Sequence, residues 1–377
     1  MPLFNVYPLY DVTPVSAKGV FVYDEKNSEY LDLYGGHAVI SIGHGHPKYV
    51  EAITNQVAKL GFYSNAIQNP LQKQLADKIE SLSGCKDYEL FLCNSGAEAN
   101  ENALKLASFK TQKSRVIAFK NGFHGRTSAA VAATDNKNII APINAQQKVT
   151  ILDLNDIRAV KTELEQGDVC AVIVEFIQGV GGLDQANADF FEQLDVLCKA
   201  NNTLFIADEV QSGYGRSGKF FAFQYYKVTP DIISIAKGMG NGFPIGGILI
   251  HPNIKSKFGM LGTTFGGNHL ACVAGLSVLN VIEEEKLMDN VKTISDYFIK
   301  IAKSIPQIRN IKGRGLMLGL EFDFEVSELR KKLIYNYHIF TGGAANKKLL
   351  RILPPLNIEK KHIDQFFESL VDALKIN

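Results

Sequence analysis

The chain has 377 residues, 46% hydrophobic and 21% charged, which excludes intrinsic disorder and leaves room for two or three domains around an extensive core. Lys plus Arg number 40 against 39 Asp plus Glu, so a formal charge of +1 provides no global field for nucleic acid or an anionic membrane. The five cysteines, Cys85, Cys93, Cys170, Cys198 and Cys272, are odd in number and scattered, and read as free buried thiols in a reducing compartment rather than disulfides or zinc ligands.

Met1-Pro2-Leu3-Phe4-Asn5-Val6-Tyr7 lacks a basic start followed by an apolar core, and no stretch approaches a membrane span, so a cytoplasmic protein is expected. Val20-Phe21-Val22-Tyr23 and Tyr30-Leu31-Asp32-Leu33 flank the turn-like Asp24-Glu25-Lys26-Asn27 and predict a hairpin. Gly43-His44-Gly45-His46-Pro47 offers two histidines without a third ligand at helical spacing; a turn before Pro47 is the simpler reading, and no metal is expected.

From about Tyr88 to Ile250, short apolar runs alternate with helix-patterned ones. Leu90–Leu92, Arg115–Phe119, Ala171–Val174, Leu204–Ile206, Ile232–Ile235 and Ile248–Ile250 lack polar alternation, as strands buried on both faces do. They predict an α/β domain with a mostly parallel sheet.

Polar motifs follow these strands. Ser95-Gly96-Ala97-Glu98-Ala99-Asn100 opens an alanine-rich helix, with Ser95 as N-cap and the N–H groups of Gly96 and Ala97 suited to a phosphate; an ordinary capped helix is the alternative. In Asn121-Gly122-Phe123-His124-Gly125-Arg126-Thr127, Phe123 could stack on a heteroaromatic ring and Arg126 could grip a carboxylate, against core packing and a solvated arginine. Asp208-Glu209-Val210-Gln211 ends one apolar run, and Lys237 ends another. A lysine able to form a Schiff base and an aspartate able to face a pyridinium nitrogen are the two protein groups that pyridoxal phosphate chemistry needs. Gly238-Met239-Gly240-Asn241-Gly242 only partly matches a dinucleotide loop, since the third glycine and the distant acid are missing.

After Leu270 come a long helical pattern, the acidic run Glu283-Glu284-Glu285-Lys286 that reads as a solvated helix face, Gly313–Leu320 as one strand, and a closing amphipathic helix. The expected division is 1–59 and 270–377 as the two parts of a small α+β domain built from both termini, around a large domain at 60–269.

Together with Thr263-Thr264-Phe265-Gly266-Gly267-Asn268, these motifs resemble in order and spacing the class III (ω-amino) aminotransferases, closely the acetylornithine and ornithine branch, over nearly the whole chain. The resemblance implies a fold-type I homodimer with active sites at the subunit interface, binding pyridoxal 5'-phosphate. It implies Lys237 as Schiff-base lysine and proton shuttle, and Asp208 at the pyridine nitrogen. Gln211 would meet the ring oxygen, and Phe123 and Val210 would sandwich the ring. Ser95, Gly96 and Ala97 would cradle the phosphate, joined by Thr264 of the other subunit. Arg126 and Thr263 would contact the substrate, and Arg351 would bind the α-carboxylate of 2-oxoglutarate and glutamate.

The implied reaction moves the terminal amino group of acetyl- or succinylornithine to 2-oxoglutarate, in arginine biosynthesis; free ornithine or 4-aminobutyrate is the alternative donor. Val180, Val12, His37 and His269 depart from the family pattern. Val180 stands where relatives place a glutamate that masks the arginine matched by Arg351, so succinylornithine is expected to serve at least as well as acetylornithine.

Overall fold

Seven apolar strands form the largest sheet of the computed structural model, which describes residues 1–375. Within this sheet we number them β1 (Glu89–Cys93), β2 (Arg115–Phe119), β3 (Val149–Leu152), β4 (Val169–Val174), β5 (Leu204–Asp208), β6 (Ile232–Ile235) and β7 (Gly246–Ile250). Their spatial order is β1-β7-β6-β5-β4-β2-β3, and β7 alone runs against its neighbours. Every residue of β2, β4, β5 and β6 is buried, as expected of strands covered on both faces. The long helix Gly96–Thr111 packs on β7, β6 and β4, and its buried Ala99, Ala103 and Ala107 let the backbones approach closely.

The two ends of the chain meet in a second sheet. Phe21–Asp24 and Glu29–Asp32 form the expected hairpin, Pro14–Lys18 pairs with its outer edge, and Ile339–Phe340 joins the inner edge in parallel, with Ile339 opposite Leu31. A third, antiparallel sheet holds Asn310–Arg314, Met317–Glu321 and Leu349–Ile352. Here the sequence reading needs correction, because Gly313–Leu320 is two strands rather than one. Gly315 turns the chain with φ +61°, and a Cβ there would lie 2.5 Å from the Ser217 carbonyl carbon, so this hairpin sits directly on the 216–217 backbone.

Arg216 secures that contact. Its buried guanidinium donates to the carbonyls of Leu316, Pro354 and Ile40, three distant parts of the chain, and burial pulls its pKa down to about 9. The glycine-rich stretch after Lys237 is likewise engaged by the protein itself, since Asn241 Oδ1 accepts from the N–H groups of Ser41 and Ile42 at 2.8 and 3.0 Å.

Pro47 opens the helix Pro47–Lys59, with His44 Nε2 2.8 Å from Asp32 and His46 Nε2 2.9 Å from Glu285. The acidic run is exposed as expected, yet Glu283, Glu284 and Glu285 pair with Lys78, Lys48 and His46, tying the first helices to His269–Glu284. Such exposed pairs each stabilise by about 0–1 kcal/mol. His269 is the first helical residue after the Asn268 cap, a position where proline is favoured but not required. The five cysteines are buried free thiols, and burial pushes Cys93 up to about 12. The final helix, Lys360–Lys375, buries Ile363, Phe366, Phe367 and Leu370 on one face.

Candidate active site

The carboxyl ends of the parallel strands converge on one edge of the large sheet, the place where open α/β sheets bind ligands. β5 ends in Asp208, which is only 3% exposed. Its Oδ2 lies 2.7 Å from both Asn100 Nδ2 and His124 Nδ1, and its Oδ1 accepts from Val210 N–H at 3.1 Å. Asn100 also donates to the His124 carbonyl at 2.7 Å, so it fixes both members of the pair. Burial works against a charged His124, but the hydrogen bond and charge of Asp208 outweigh it and raise the pKa. The pair's contribution to stability is therefore present below the ordinary histidine value and is lost as pH rises through the raised one.

Lys237 follows β6 after Ala236, held at φ +47°, a strained left-handed conformation for a lysine. Its Nζ makes no hydrogen bond among the described residues. Burial lowers its pKa, with Arg351 acting in the same sense against Asp208 and Glu175, which favours the uncharged, nucleophilic amine.

Glu175 comes directly after β4. Its two oxygens accept from Phe123 N–H at 2.9 Å and Gly179 N–H at 2.8 Å, so one carboxylate positions two loops. Burial, reinforced by the charge of Asp208, holds it well above the usual carboxylate range.

After β1, Ser95 caps the helix Gly96–Thr111, its Oγ accepting from Glu98 N–H at 3.2 Å. The first N–H groups of this helix, at Gly96 and Ala97, have no intrahelical acceptor and form an anion-binding end. Neither Gly96 nor Gly125 could carry a side chain. A Cβ on Gly96 would lie 2.5 Å from Val210 Cγ1, and one on Gly125 2.8 Å from Ala97 Cβ.

These groups surround a cavity of about 320 Å³ lined by Ser95, Gly96, Ala97, Phe123, Arg126, Val180, Asp208, Val210, Gln211 and Lys237. That volume is at the lower end of the small-ligand range. Gln211 Oε1 is buried without a hydrogen-bond partner and is available to a bound group. An anion-binding helix end, a wall of Phe123 and Val210, a carboxylate and a lysine whose charge burial disfavours together fit a phosphorylated heteroaromatic cofactor.

Not every expected residue lies in this cavity. Arg351 is buried behind Val180, donating to the Gly179 and Gly343 carbonyls, with no carboxylate partner among the described residues. Thr263 Oγ1 instead accepts from Gly266 N–H at 3.1 Å and faces a separate cleft with Asn65 and Gln72. Thr264 is exposed beside it. Sequence reasoning missed His124, Asn100 and Glu175. The available signal for Glu175 was the one used for Asp208, an acid directly after an apolar strand.

Glu209, next to Asp208, faces away from the cavity and accepts from Phe223 N–H at 2.7 Å and Ser212 Oγ at 2.6 Å. Burial pushes its pKa up to about 7 from an ordinary 4.5, so ionisation costs stability that the protonated form does not. We expect Glu209→Gln to gain stability relative to wild type as pH rises from 4.5 to about 7, with little further change above. Urea midpoints of both proteins across this range check it; a pH-independent difference would contradict it.

Comparison with known proteins agrees with this geometry. The family profile "Aminotransferase class-III" matches residues 5–374. The acetylornithine aminotransferase of Aquifex aeolicus is 40% identical, with 99% of each chain covered; that of Bacillus subtilis is 37% identical, covering 99% of this chain and 97% of the relative. Among solved structures, the acetylornithine aminotransferase of Elizabethkingia anophelis superposes with a TM-score of 0.84 at 30% identity, covering 99% and 96% of the two chains. The ornithine aminotransferase of Toxoplasma gondii superposes with a TM-score of 0.91 at 27% identity, covering 98% and 93%. This chain belongs to the class-III aminotransferases.

Proposed function

We propose that this enzyme moves the terminal amino group of an N-acylated ornithine, acetyl- or succinylornithine, to 2-oxoglutarate, as a cytoplasmic homodimer in arginine biosynthesis. The carrying observation is that Lys237 and Asp208 line one cavity with Arg126, while Arg351 is buried against the Gly179 carbonyl next to the cavity-lining Val180; neither arginine has a carboxylate partner among the described residues. Two unpaired guanidinium groups suit a dicarboxylate acceptor. The relatives named above as acetylornithine aminotransferases support the donor class. None of the helices among the described residues is long and apolar enough to cross a membrane.

When bound, pyridoxal phosphate supplies the carbon that takes up the amino group and a ring that accepts the electron pair left by the departing proton. Lys237 Nζ would hold it and would then take up and return that proton. Asp208, hydrogen-bonded by Asn100 and His124, would face the ring nitrogen. Ser95, Gly96 and Ala97 would take the phosphate, Phe123 and Val210 the ring faces, and Gln211 the ring oxygen. Arg126 orients the donor carboxylate and Arg351 the α-carboxylate of the acceptor. Thr263 and Thr264, outside their own chain's cavity, serve the site of a second copy. The exposed Phe258 and the cleft of about 580 Å³ that it lines with Phe91, Leu106 and Met260 support this pairing.

Kinetics with acetylornithine, succinylornithine, ornithine and 4-aminobutyrate, alongside the visible spectrum, test the reading. We expect an N-acylornithine to exceed the other two in kcat/KM by at least about tenfold, or about 1.4 kcal/mol. The fold likeness to ornithine aminotransferase makes free ornithine the second candidate, and its preference would overturn the first.

Val180 separates the two. The Gly179 carbonyl beside it accepts from Arg351, so a glutamate at 180 would bring a competing carboxylate to that guanidinium. We expect Val180→Glu to raise KM for 2-oxoglutarate by about tenfold, close to 1.4 kcal/mol. An unchanged KM would show that position 180 does not shield Arg351.

A further inference from the structure

Among the described residues, Glu175 is the one carboxylate besides Asp208 in the wall of the active-site cavity, and it is 6% exposed. Its two oxygens reach two loops, and these loops are not anchored alike. The Phe123 loop is held on its own side of the molecule. Asn121 N–H donates to Asp135 at 2.8 Å, Gly122 N–H to the Phe119 carbonyl at 3.0 Å, and His124 N–H to Thr134 Oγ1 at 2.9 Å. Loop 179–181 is instead laced to the segment before Leu349–Ile352. The Val180 and Gly181 carbonyls accept from Ala345 and Asn346 N–H at 2.9 and 3.2 Å, and the Gly179 carbonyl accepts from Arg351.

Gly179 is therefore gripped at both ends, its N–H by Glu175 and its carbonyl by Arg351. There is no slack around it. A Cβ on Gly179 would lie 2.4 Å from Gln211 Oε1, and one on Gly181 would lie 2.5 Å from the Asn121 carbonyl oxygen. The 179–181 backbone thus rests directly on Gln211 and on the Phe123 loop, and a shift at the Glu175 end is passed to the guanidinium. Burial opposes the charge on Arg351, and Glu175 is among the groups that favour it.

We propose that Glu175 is a positioning residue for the amino acceptor: it fixes the Gly179 carbonyl, which in turn fixes Arg351 for the α-carboxylate of 2-oxoglutarate. This rests on the acceptor reading above and extends it to a group that acts through Arg351. An ionised carboxylate suits the position because an N–H meets each of its oxygens. A glutamine of the same size offers one acceptor oxygen and turns its NH2 toward the other N–H. With the Phe123 loop fixed by its other bonds, the 179–181 loop is the one released.

The test follows the two half-reactions of the holoenzyme separately by visible absorbance, first with whichever of N-acetylornithine and ornithine reacts, then with 2-oxoglutarate. The proteins are wild type, Glu175→Gln, Arg351→Lys and the double variant. Calorimetry with glutarate, a dicarboxylate of the same length without the oxo group, reads binding apart from turnover. Glu175→Gln is expected to raise the half-saturation for 2-oxoglutarate and the Kd for glutarate by about tenfold, the scale of a lost hydrogen bond to a charged group. The limiting rate with 2-oxoglutarate and the donor half-reaction are expected to stay within about threefold. In the Arg351→Lys background, Glu175→Gln is expected to add less than about threefold to either constant, because the contact through which it acts is already gone.

The donor half-reaction is the internal control for folding. Equal losses in both half-reactions would make Glu175 a structural residue and overturn the proposal. So would an unmoved glutarate Kd in Glu175→Gln, or full additivity of the two substitutions. A wild type whose absorbance does not respond to 2-oxoglutarate would instead overturn the underlying acceptor reading.

Discussion

Lys237→Ala is expected to abolish turnover while the protein stays folded. Proton transfer by a positioned group contributes about 10²–10⁴-fold, and loss of the covalent attachment adds to that, so a fall of at least about 10³-fold, or about 4 kcal/mol, is the expected result. Lys237→Ala keeps the left-handed backbone but removes the cost of burying the amine, so the thermal midpoint should not fall. Small primary amines in the assay are expected to restore part of the rate by carrying the proton in place of Nζ. Near-normal turnover by Lys237→Ala, measured over many cycles, would refute the assignment.

Asp208→Asn is expected to cost about 10³-fold in kcat/KM, again about 4 kcal/mol, with a similar shape and volume at the position. The substitution removes the carboxylate proposed to face the ring nitrogen and the group that raises the pKa of His124. With only the charge of Glu175 left against burial, the pKa of that histidine should fall, observable by NMR of the labelled ring. An unchanged histidine titration together with wild-type activity would show that Asp208 carries neither role.

The parts of the site most legible in the sequence share one physical form. Asp208 ends one fully buried apolar strand and Lys237 comes two residues after another, and Ser95 comes two residues after the half-buried β1. Burial on both faces forces such runs to be strands, and the first polar residue must emerge at the sheet edge. Glu175 obeys the same rule but was passed over because its neighbours Phe176 and Ile177 continue the apolar run. The reading of Gly313–Leu320 as one strand failed because hydrophobicity masked a turn that Gly315 makes at positive φ. His124 could not be assigned because its partner Asp208 is 84 residues away.

The parallel pairing of Ile339 with Leu31 has a consequence for how the chain is made. The Phe21–Asp32 hairpin leaves the ribosome well before its strand partner, and its inner edge pairs only about 300 residues later. At about 5–20 residues per second, that interval is roughly 15–60 s. Throughout synthesis, the Glu29–Asp32 strand presents unpaired backbone groups, and Leu31 and Leu33, buried in the finished protein, lack their C-terminal cover. The nascent chain therefore offers a long-lived site for chaperone binding at its start, and a circular permutant that begins near residue 270 would shorten this wait.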